Sequence, residues 1–253
     1  SINDNHNQDY KLALISCYQS LYSINNEFIN LNNYKSNNKE INRLLNIQFR
    51  EILIEKIIAK EITKIGTISD SISKEVKNQY ELNPYPRWRY NLYAKEKKVN
   101  YLSVISSEIH PIRLQSNQTE LTTKKPNILI AGCGTGIQIL EASRYRNSKI
   151  TAIDLSNKSI SYAKRKVDEY EMRNINFFEM DILELPQLNK KFDVIECSGV
   201  LHHMKDPTKG LSNLVEALEP KGFLKLGLYS KYARKEILKA RELIQKKEIK
   251  ANL

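Results

Sequence analysis

The 253-residue sequence predicts an α/β fold: a parallel sheet with helices on its faces, preceded by a helical segment. Three observations support this. Short apolar runs alternate with amphipathic segments of helical period from Asn127 to Tyr229. A glycine-rich turn directly follows the first of these runs. Before residue 70, by contrast, apolar residues recur mainly at helical spacing, most clearly in Lys39–Ile65.

The central element is a predicted buried strand at Asn127–Ala131. Gly132, Gly134 and Gly136 follow it and are predicted to form a turn that opens a helix at Ile137–Arg144. Such a turn lets backbone N–H groups and a helix N-terminus approach an anionic or polar ligand. Taken alone, the turn also fits a tight strand–helix connection, so the residues that follow decide its meaning.

The remaining elements are predicted from the same alternation. Strands are predicted at Lys149–Ile153, Asn176–Glu179, Phe192–Cys197 and Gly222–Tyr229, and helices at Asp9–Asn30, Lys158–Tyr170, Thr208–Leu218 and Lys231–Asn252. With five strands, the sheet is either incomplete or completed in an unusual way. We expect four parts: a helical appendage (1–70), a cap and linker (71–125), the core (126–232) and a basic helix leading into missing sequence (233–253). The appendage would serve docking or dimerisation, and the alternative is a helical cap over the active site.

Charge and cysteine content limit the classes of function. The formal net charge is +11, and basic residues concentrate in Arg87–Lys98 and Lys231–Lys250. These patches fit an acidic partner, or simply a lysine-rich solvated surface. The 3 cysteines have no CxxC spacing, so we expect no disulfide framework, no metal site and a cytoplasmic location. No apolar run approaches the roughly 20 residues that span a bilayer.

Two aspartates at strand ends predict a nucleoside site. Asp154 ends the second strand roughly 20 residues after the glycine turn, where a carboxylate accepts hydrogen bonds from ribose hydroxyls. Asp181 follows the third strand and can accept the exocyclic amine of an adenine. A dinucleotide site is disfavoured because Ile137 stands where its third glycine is expected. Individually, Asp154 also fits a helix N-cap and Asp181 a turn residue.

The order of these motifs resembles class I S-adenosylmethionine-dependent methyltransferases. AGCGTG at 131–136 is similar to their glycine motif, and Glu196–Met204 and Leu218–Tyr229 are similar to their fourth- and fifth-strand regions. The resemblance implies a Rossmann-like core, S-adenosyl-L-methionine as the methyl donor and S-adenosyl-L-homocysteine as the product. It implies cofactor contacts from Gly132, Cys133, Gly134, Gly136, Asp154, Leu155, Asp181, Ile182, Ser198 and Arg87.

The segment YELNPYPRW, at Tyr80–Trp88, is predicted to close the site. Its two prolines forbid a helix, and it lies where these enzymes commonly carry a lid. Tyr85 and Trp88 are candidate catalytic residues, because aromatic faces hold a sulfonium or alkylammonium by cation–π attraction of roughly 0.5–2 kcal/mol. The alternative is a rigid clamp with its aromatic rings in the core. The segment is not the N/D-P-P-Y motif of amino-methylating enzymes, since that motif ends the fourth strand.

His202 and His203 follow the fourth strand at the mouth of the site, and we expect at most one of them to face the substrate. His202 is the candidate general base, with packing beside the cofactor as the alternative. Tyr229 is either a substrate contact or a packing residue. YELNPYPRW, ILIAGCGTGIQ, SGVLHHMKDPTKGL and LKLGLYSKYAR together resemble rickettsial protein lysine methyltransferases that modify an outer membrane protein. That resemblance implies lysine methylation of a protein partner. A small-molecule methyltransferase acting on a quinone or lipid and a non-catalytic fragment remain alternatives. Nucleic-acid methylation rests on charge alone.

Overall fold

The computed structural model describes residues 2–24, 31–90, 98–112, 125–230 and 232–247. A parallel sheet organises them, which confirms the predicted α/β class. Its strands are β1 (Thr63–Lys64), β2 (Asn127–Ala131), β3 (Lys149–Asp154), β4 (Ile175–Glu179), β5 (Phe192–Ser198) and β6 (Leu218–Gly227). The 6 strands lie in the order β1-β4-β3-β2-β5-β6, and every neighbouring pair is parallel. The carboxyl ends of β2, β3, β4 and β5 therefore meet at one edge.

The sheet contains a strand that the sequence did not predict. Thr63 and Lys64 lie within the predicted helix Lys39–Ile65, but the helix ends at Glu61 and β1 pairs with the end of β4. The pairing extends to Ile65, whose N–H donates to the carbonyl oxygen of Glu179 over 3.0 Å. Helical spacing of apolar residues continues locally through this point, so only the tertiary pairing with β4 reveals the strand. Two residues of the predicted appendage are therefore part of the sheet.

Strand β6 begins earlier than predicted and ends at Gly227 rather than Tyr229. Its pairing with β5 jumps from Phe192–Leu218 to Val194–Phe223, so residues 219–222 bulge out of the ladder. Lys221, inside the bulge, has a φ of 67°. The bulge contains Pro220 and Gly222 and lies inside β6, because Leu218 before it already pairs with Phe192.

The helices flank the sheet and fill the segment before it. They are α1 (Ile2–Ser16), α2 (Leu21–Ile24), α3 (Lys39–Leu45), α4 (Glu51–Glu61), α5 (Ser71–Leu82), α6 (Tyr101–Glu108), α7 (Ile137–Ala142), α8 (Asn157–Glu169), α9 (Pro207–Glu216) and α10 (Lys235–Lys246). A π-turn at Asn46–Arg50 joins α3 to α4, and 3₁₀ turns follow β4 at Ile182–Leu188 and β5 at Leu201–His203. Helix α6 was not predicted. Of the predicted helices Asp9–Asn30 and Lys231–Asn252, residues 25–30, 231 and 248–252 lie outside the described residues.

Side-chain caps explain where several helices begin. Asp70 accepts a hydrogen bond from the N–H of Ser73 over 2.9 Å at the start of α5. Ser156 does the same for Ser159 over 3.0 Å at the start of α8. Both capping residues have extended backbone dihedrals and precede their helices directly, as N-caps do. These caps set the entry points of two helices that border the site.

Apolar side chains form a layer on each face of the sheet. One layer packs β2, β3 and β5 against α6, α7 and α8, around Ile130, Tyr145 and Ala163. The other packs the opposite face against α9 and the 3₁₀ turns, around Leu129 and Leu214. The helices before β1 bury a separate cluster: Leu12, Leu21, Ile24, Leu31, Ile41, Leu45 and Phe49. The first part of the chain therefore has its own core in addition to contributing β1.

Candidate active site

The carboxylate of Asp154 faces the glycine turn. Its Oδ2 accepts a hydrogen bond from the N–H of Gly134 over 2.8 Å, and its Oδ1 accepts one from the N–H of Ser156 over 2.9 Å. The contact arises because β2 and β3 are parallel neighbours, so the residues after each strand meet at one edge. Burial raises the pKa of Asp154, the bonds from Ser156 and Gly134 oppose the rise, and the nearby charge of Glu81 adds to it.

Two glycines of the turn have different surroundings. Gly134 has a φ of +50°, and a Cβ added there would meet none of the described residues within 4 Å, so its backbone borders open space in that part of the structure. Gly136 has a φ of +93°, and a Cβ there would lie 2.8 Å from the Cβ of Ala163 on α8. Gly134 therefore leaves room for a ligand, whereas Gly136 lets the start of α7 approach α8.

A cavity of about 420 Å³ opens beside Gly134, a size typical of small-molecule sites. Its lining includes these residues predicted from the sequence: Gly132, Cys133, Gly134, Asp154, Leu155, Asp181, Ile182, Ser198 and Tyr85. They come from the ends of four strands and from the segment after α5. Gly136, Arg87, Trp88 and His202, although described, are not among the lining residues.

The Asp181 end of the cavity combines a carboxylate with apolar walls. Asp181 is 3% exposed and caps the following 3₁₀ turn by accepting a hydrogen bond from the N–H of Leu183 over 2.9 Å. Met180 and Ile182 are buried on either side of it in the chain and also line the cavity. A flat, partly polar ring is the kind of group that such walls accommodate.

The segment Tyr85–Trp88 lies against the glycine turn. Pro86 lines the cavity, and its carbonyl oxygen accepts a hydrogen bond from the hydroxyl of Thr135 over 2.6 Å. The indole Nε1 of Trp88 donates to the carbonyl oxygen of Thr135 over 3.0 Å. Thr135 therefore holds this segment at two points, and Tyr85, 75% exposed, stands at the rim of the cavity.

The structure places Trp88 in a clamp rather than in the cavity lining. Its ring lies 6.1 Å from the ring of Tyr162, edge to face, and the Nζ of Lys166 lies 4.9 Å from its centroid. Tyr162 also donates a hydrogen bond to the carbonyl oxygen of Trp88. This arrangement corresponds to the rigid clamp that was the alternative interpretation of the segment.

Arg87, predicted to contact the cofactor, pairs with a residue of α4 and does not line the cavity. Its guanidinium donates to the carboxylate of Glu55 on α4, over 3.0 Å at the shortest, and lies 4.5 Å above the ring of Tyr162. Glu55 is 6% exposed and also accepts from Nε of Arg165 over 3.0 Å. A buried carboxylate requires cationic partners, and this requirement draws Arg87 away from the cavity.

Of the two adjacent histidines, His203 rather than His202 lines the cavity. The ring of His202 stacks on Tyr229 with centroids 3.7 Å apart, and within the described part of the chain its buried ring nitrogens have no hydrogen-bond partner. Burial and the nearby charges of Arg234 and Arg241 lower the pKa of His203, so the neutral imidazole is favoured. His203 therefore has the position that the sequence analysis assigned to His202.

Comparison with known proteins identifies the segment that carries this cavity. Residues 128–222 match the family described as methyltransferase domain. They cover β2 to the start of β6, including the glycine turn, Asp154 and Asp181. This segment is therefore similar to methyltransferase domains. The Rossmann-like fold predicted from the sequence is confirmed, and the N-terminal helices precede it.

Individual relatives match only part of the chain. An uncharacterised protein of Synechococcus is 37% identical over 122 residues, covering 47% of this chain and 29% of that protein. The ubiquinone biosynthesis O-methyltransferase of Coxiella burnetii is 32% identical over 116 residues, covering 46% of this chain and 49% of that enzyme. The structure of PKMT2 from Rickettsia typhi in complex with AdoHcy is 27% identical, with a TM-score of 0.43, and covers 48% of this chain and 24% of that chain. The chain thus spans half or less of the length of these relatives.

The segment similar to methyltransferase domains also carries a buried charged network at the cavity. Glu196 on β5 is 2% exposed, lines the cavity and accepts a hydrogen bond from the hydroxyl of Tyr145 over 2.7 Å. Burial raises the pKa of Glu196, against the hydrogen bond from Tyr145 and the charges of Lys225 and Arg144. Lys225, the neighbour of Glu196 on β6, also lines the cavity and pairs with Glu108 over 2.9 Å.

Several residues that line the cavity were not predicted as site residues: Tyr80, Thr135, Gln138, Ser159 and His203 are among them. Thr135 lies inside the glycine turn, but its hydrogen bond to Pro86 joins positions 49 residues apart, which local spacing does not reveal. Among the described residues, no three histidine, cysteine or acidic side chains are grouped to bind a metal ion. None of the helices in those same ranges has the length and apolar character that crossing a membrane requires.

Proposed function

We propose that this chain binds S-adenosylmethionine and transfers its methyl group to lysine side chains of a protein partner, such as an outer membrane protein. The observation that carries the proposal is the hydrogen bond between Asp154 Oδ2 and the N–H of Gly134 at the wall of the cavity. It brings a ribose-binding carboxylate and a glycine turn together, and Asp181 lines the same cavity. The match of residues 128–222 to methyltransferase domains supports this reading.

The lining residues fit the cofactor chemically. Asp154 would accept hydrogen bonds from the ribose hydroxyls, Asp181 from the adenine amine, and the glycine turn would hold the methionyl part. Oε1 of Gln138 and Oγ of Ser159 are buried and have no hydrogen-bond partner among the described residues, and both side chains line the cavity. Buried polar atoms of this kind are normally satisfied, and a polar ligand would satisfy them.

The chain's own residues would align the acceptor and exclude water. The bound cofactor supplies an electrophilic methyl group on a sulfonium, and displacement requires an in-line nucleophile. A lysine acceptor must first lose a proton, and a ring nitrogen of neutral His203 would take it. Tyr80 and Tyr85 line the cavity, Tyr85 at its rim, where aromatic faces suit an alkylammonium that enters from outside. The resemblance of the segment around Tyr85 to rickettsial lysine methyltransferases supports the same substrate class.

The proposal is tested by incubating the protein with S-adenosylmethionine labelled in the methyl group and a bacterial outer membrane fraction. We expect label in acid-stable methyllysine of a protein, identified by mass spectrometry. An Asp154→Ala variant should transfer no label. The control is Asp168→Ala, which removes an exposed carboxylate from α8 and should transfer label as the wild type does. Label in the organic extract alone would contradict the lysine assignment, and failure of calorimetry to detect cofactor binding would contradict the enzyme assignment itself.

The second candidate is a small-molecule O-methyltransferase. It is favoured by the 32% identity over 116 residues to the ubiquinone biosynthesis O-methyltransferase of Coxiella burnetii. A phenol also needs a base to remove its proton, so His203 serves either reaction. Adding a catechol acceptor to the labelling reaction separates the two candidates, because only an O-methyltransferase would place the label on the catechol oxygen.

A further inference from the structure

Helix α10 is amphipathic and fully exposed. Every residue from Lys235 to Lys247, all within the described part of the chain, is exposed. Its apolar side chains share this exposure: Ile237 is 45% exposed, Leu243 52% and Ile244 47%. An amphipathic helix in a globular protein normally packs its apolar face against other apolar residues. Within the described part of the chain, the apolar face of α10 is not buried in this way.

The distribution of charge around α10 is that of an interfacial helix. Ile237, Ala240 and Ile244 recur at helical spacing on one face. Arg241 and Lys247 border that face. Lys235, Lys239 and Lys246 lie on the opposite face. The helix also carries two acidic residues, Glu242 on that face and Glu236, which pairs with Lys239 over 2.9 Å, so basic residues remain in excess. A helix that combines an apolar stripe with a lysine- and arginine-rich surface binds in the headgroup region of a bilayer, with its apolar side against the acyl chains.

Three further exposed apolar side chains lie between the end of β6 and α10. Leu228 is 59% exposed, Tyr229 53% and Tyr232 92%. Tyrosines in this position are suited to the boundary between headgroups and acyl chains, where one end of the ring is apolar and the other hydrated. We call the surface formed by Leu228, Tyr229, Tyr232 and α10 the basic amphipathic surface.

We propose that the basic amphipathic surface docks on an anionic lipid bilayer. Charge complementarity favours this partner, because lysine and arginine side chains near an anionic surface each add to the attraction and the whole chain has a net charge of +11. A second copy of the chain would bring two basic surfaces together, and their repulsion disfavours such a pairing. The bilayer also covers an apolar stripe without requiring a shaped groove.

The position of this surface relates it to the cavity. The guanidinium of Arg234 lies 3.9 Å above the ring of Tyr229, and that ring lies 3.7 Å from the ring of His202. His203, the next residue, lines the cavity. Docking would therefore hold one side of the cavity mouth near the lipid surface. Binding to a bilayer through this surface does not depend on the reaction proposed above.

The experiment is vesicle flotation of the full chain without cofactor. Phosphatidylcholine vesicles are compared with vesicles that contain about one third phosphatidylglycerol. We expect the protein to float with the anionic vesicles, to stay behind with the neutral ones, and to be released by high salt because part of the attraction is electrostatic. Ile237→Gln together with Ile244→Gln should lower the partition coefficient by about tenfold or more, because the apolar anchor is lost.

A matched control comes from α4, where Ile54 and Ile57 are 46% and 60% exposed. Ile54→Gln together with Ile57→Gln should bind vesicles as the wild type does. Neither pair of substitutions touches a buried residue, so circular dichroism should show both variants folded. Equal binding of the α10 variant and the wild type, or no binding of the wild type to anionic vesicles, would overturn the proposal. So would a light-scattering result in which the wild type dimerises through α10 and ignores vesicles.

Discussion

The hydroxyl of Thr135 donates a hydrogen bond to the carbonyl oxygen of Pro86 over 2.6 Å. Thr135 belongs to the glycine turn, which forms one wall of the cavity, and Pro86 belongs to the segment that forms the facing rim. Thr135 is 2% exposed, so the bond is shielded from water. Two walls that derive from distant parts of the chain are thereby held at a fixed separation.

Thr135→Val removes this bond while keeping the shape of the side chain. We expect the free energy of unfolding to fall by about 1 kcal/mol, since the carbonyl oxygen of Pro86 loses its donor. Cofactor affinity should fall by roughly fivefold, because the rim is no longer held in place. Urea denaturation and titration calorimetry measure the two effects. Thr208→Val, at an exposed position in α9, should change neither. An unchanged affinity in Thr135→Val would show that the rim needs no support from the turn.

Gly134→Ala and Gly136→Ala should separate ligand binding from stability. Both glycines have positive φ, so each substitution costs roughly 1–2 kcal/mol of unfolding free energy. Gly136→Ala should cost more, because its Cβ would lie 2.8 Å from the Cβ of Ala163. Gly134→Ala instead places a methyl group in the space beside the cavity, so cofactor affinity should fall by at least about tenfold. Thermal denaturation and calorimetry of both variants provide the comparison; binding equal to wild type in Gly134→Ala would argue against cofactor contact at this turn.

Glu55→Gln should destabilise the protein strongly. Glu55 accepts hydrogen bonds from both Arg87 and Arg165. Arg165 is 7% exposed and also pairs with Glu51 over 3.1 Å, so the substitution removes the more buried of these two counter-charges from a buried cation. We expect a loss of about 3 kcal/mol in the free energy of unfolding. Glu61→Gln, exposed at the end of the same helix, should change it by less than about 1 kcal/mol.

Arg87→Met tests the role that the sequence analysis gave to Arg87. Because its guanidinium is occupied by Glu55, we expect lower stability and, at a temperature where the protein is fully folded, an unchanged cofactor dissociation constant. Calorimetry below the unfolding transition measures that constant. A marked loss of affinity in folded Arg87→Met would restore the direct cofactor contact.

Acidification should weaken the fold through His202. Burial, followed by the charges of His203 and Arg234, lowers the pKa of His202 from its usual value of 6.5. The folded state therefore favours the neutral ring, and the stability contributed above pH 6.5 is lost as pH falls through the lowered pKa. His202→Phe keeps the ring contact with Tyr229 but cannot take up a proton. The free energy of unfolding of this variant should therefore fall less than that of the wild type as the pH is lowered. Urea denaturation at a series of pH values, with His110→Gln as an exposed-site control, measures it.

The local sequence pattern predicted those elements whose own residues follow a regular hydrophobic pattern or glycine spacing. Strands β2 and β5 and the glycine turn follow from apolar runs and glycine spacing, and Asp154 reaches Gly134 because parallel neighbours align their ends. The same pattern could not reveal β1, since Thr63 and Lys64 continue a helical period and become a strand only by pairing with β4. Short strands are defined by their partner rather than by their own residues.

The choice between neighbouring side chains also lay beyond the sequence. His202 and His203 have the same chemistry, and the 3₁₀ turn at Leu201–His203 decides which of them lines the cavity. Arg87 and Trp88 had the right chemistry for a cation or an aromatic wall, but Glu55, Thr135 and Tyr162 engage them elsewhere. Each of these partners is tens of residues away in the chain, so local sequence spacing could not predict that they would bind Arg87 and Trp88.

The bond between Glu55 and Arg165 has a consequence for how the protein is made. These residues are 110 positions apart. At a translation rate of about 5–20 residues per second, the ribosome needs roughly 5–20 s after producing Glu55 before Arg165 exists. During that interval α4 has no partner on α8, and the strand that β1 will join has not been synthesised. Glu55 and Glu51, which lie on the same helix, are then hydrated. Their charges help the unpaired helix to avoid aggregation until the remaining strands have been synthesised.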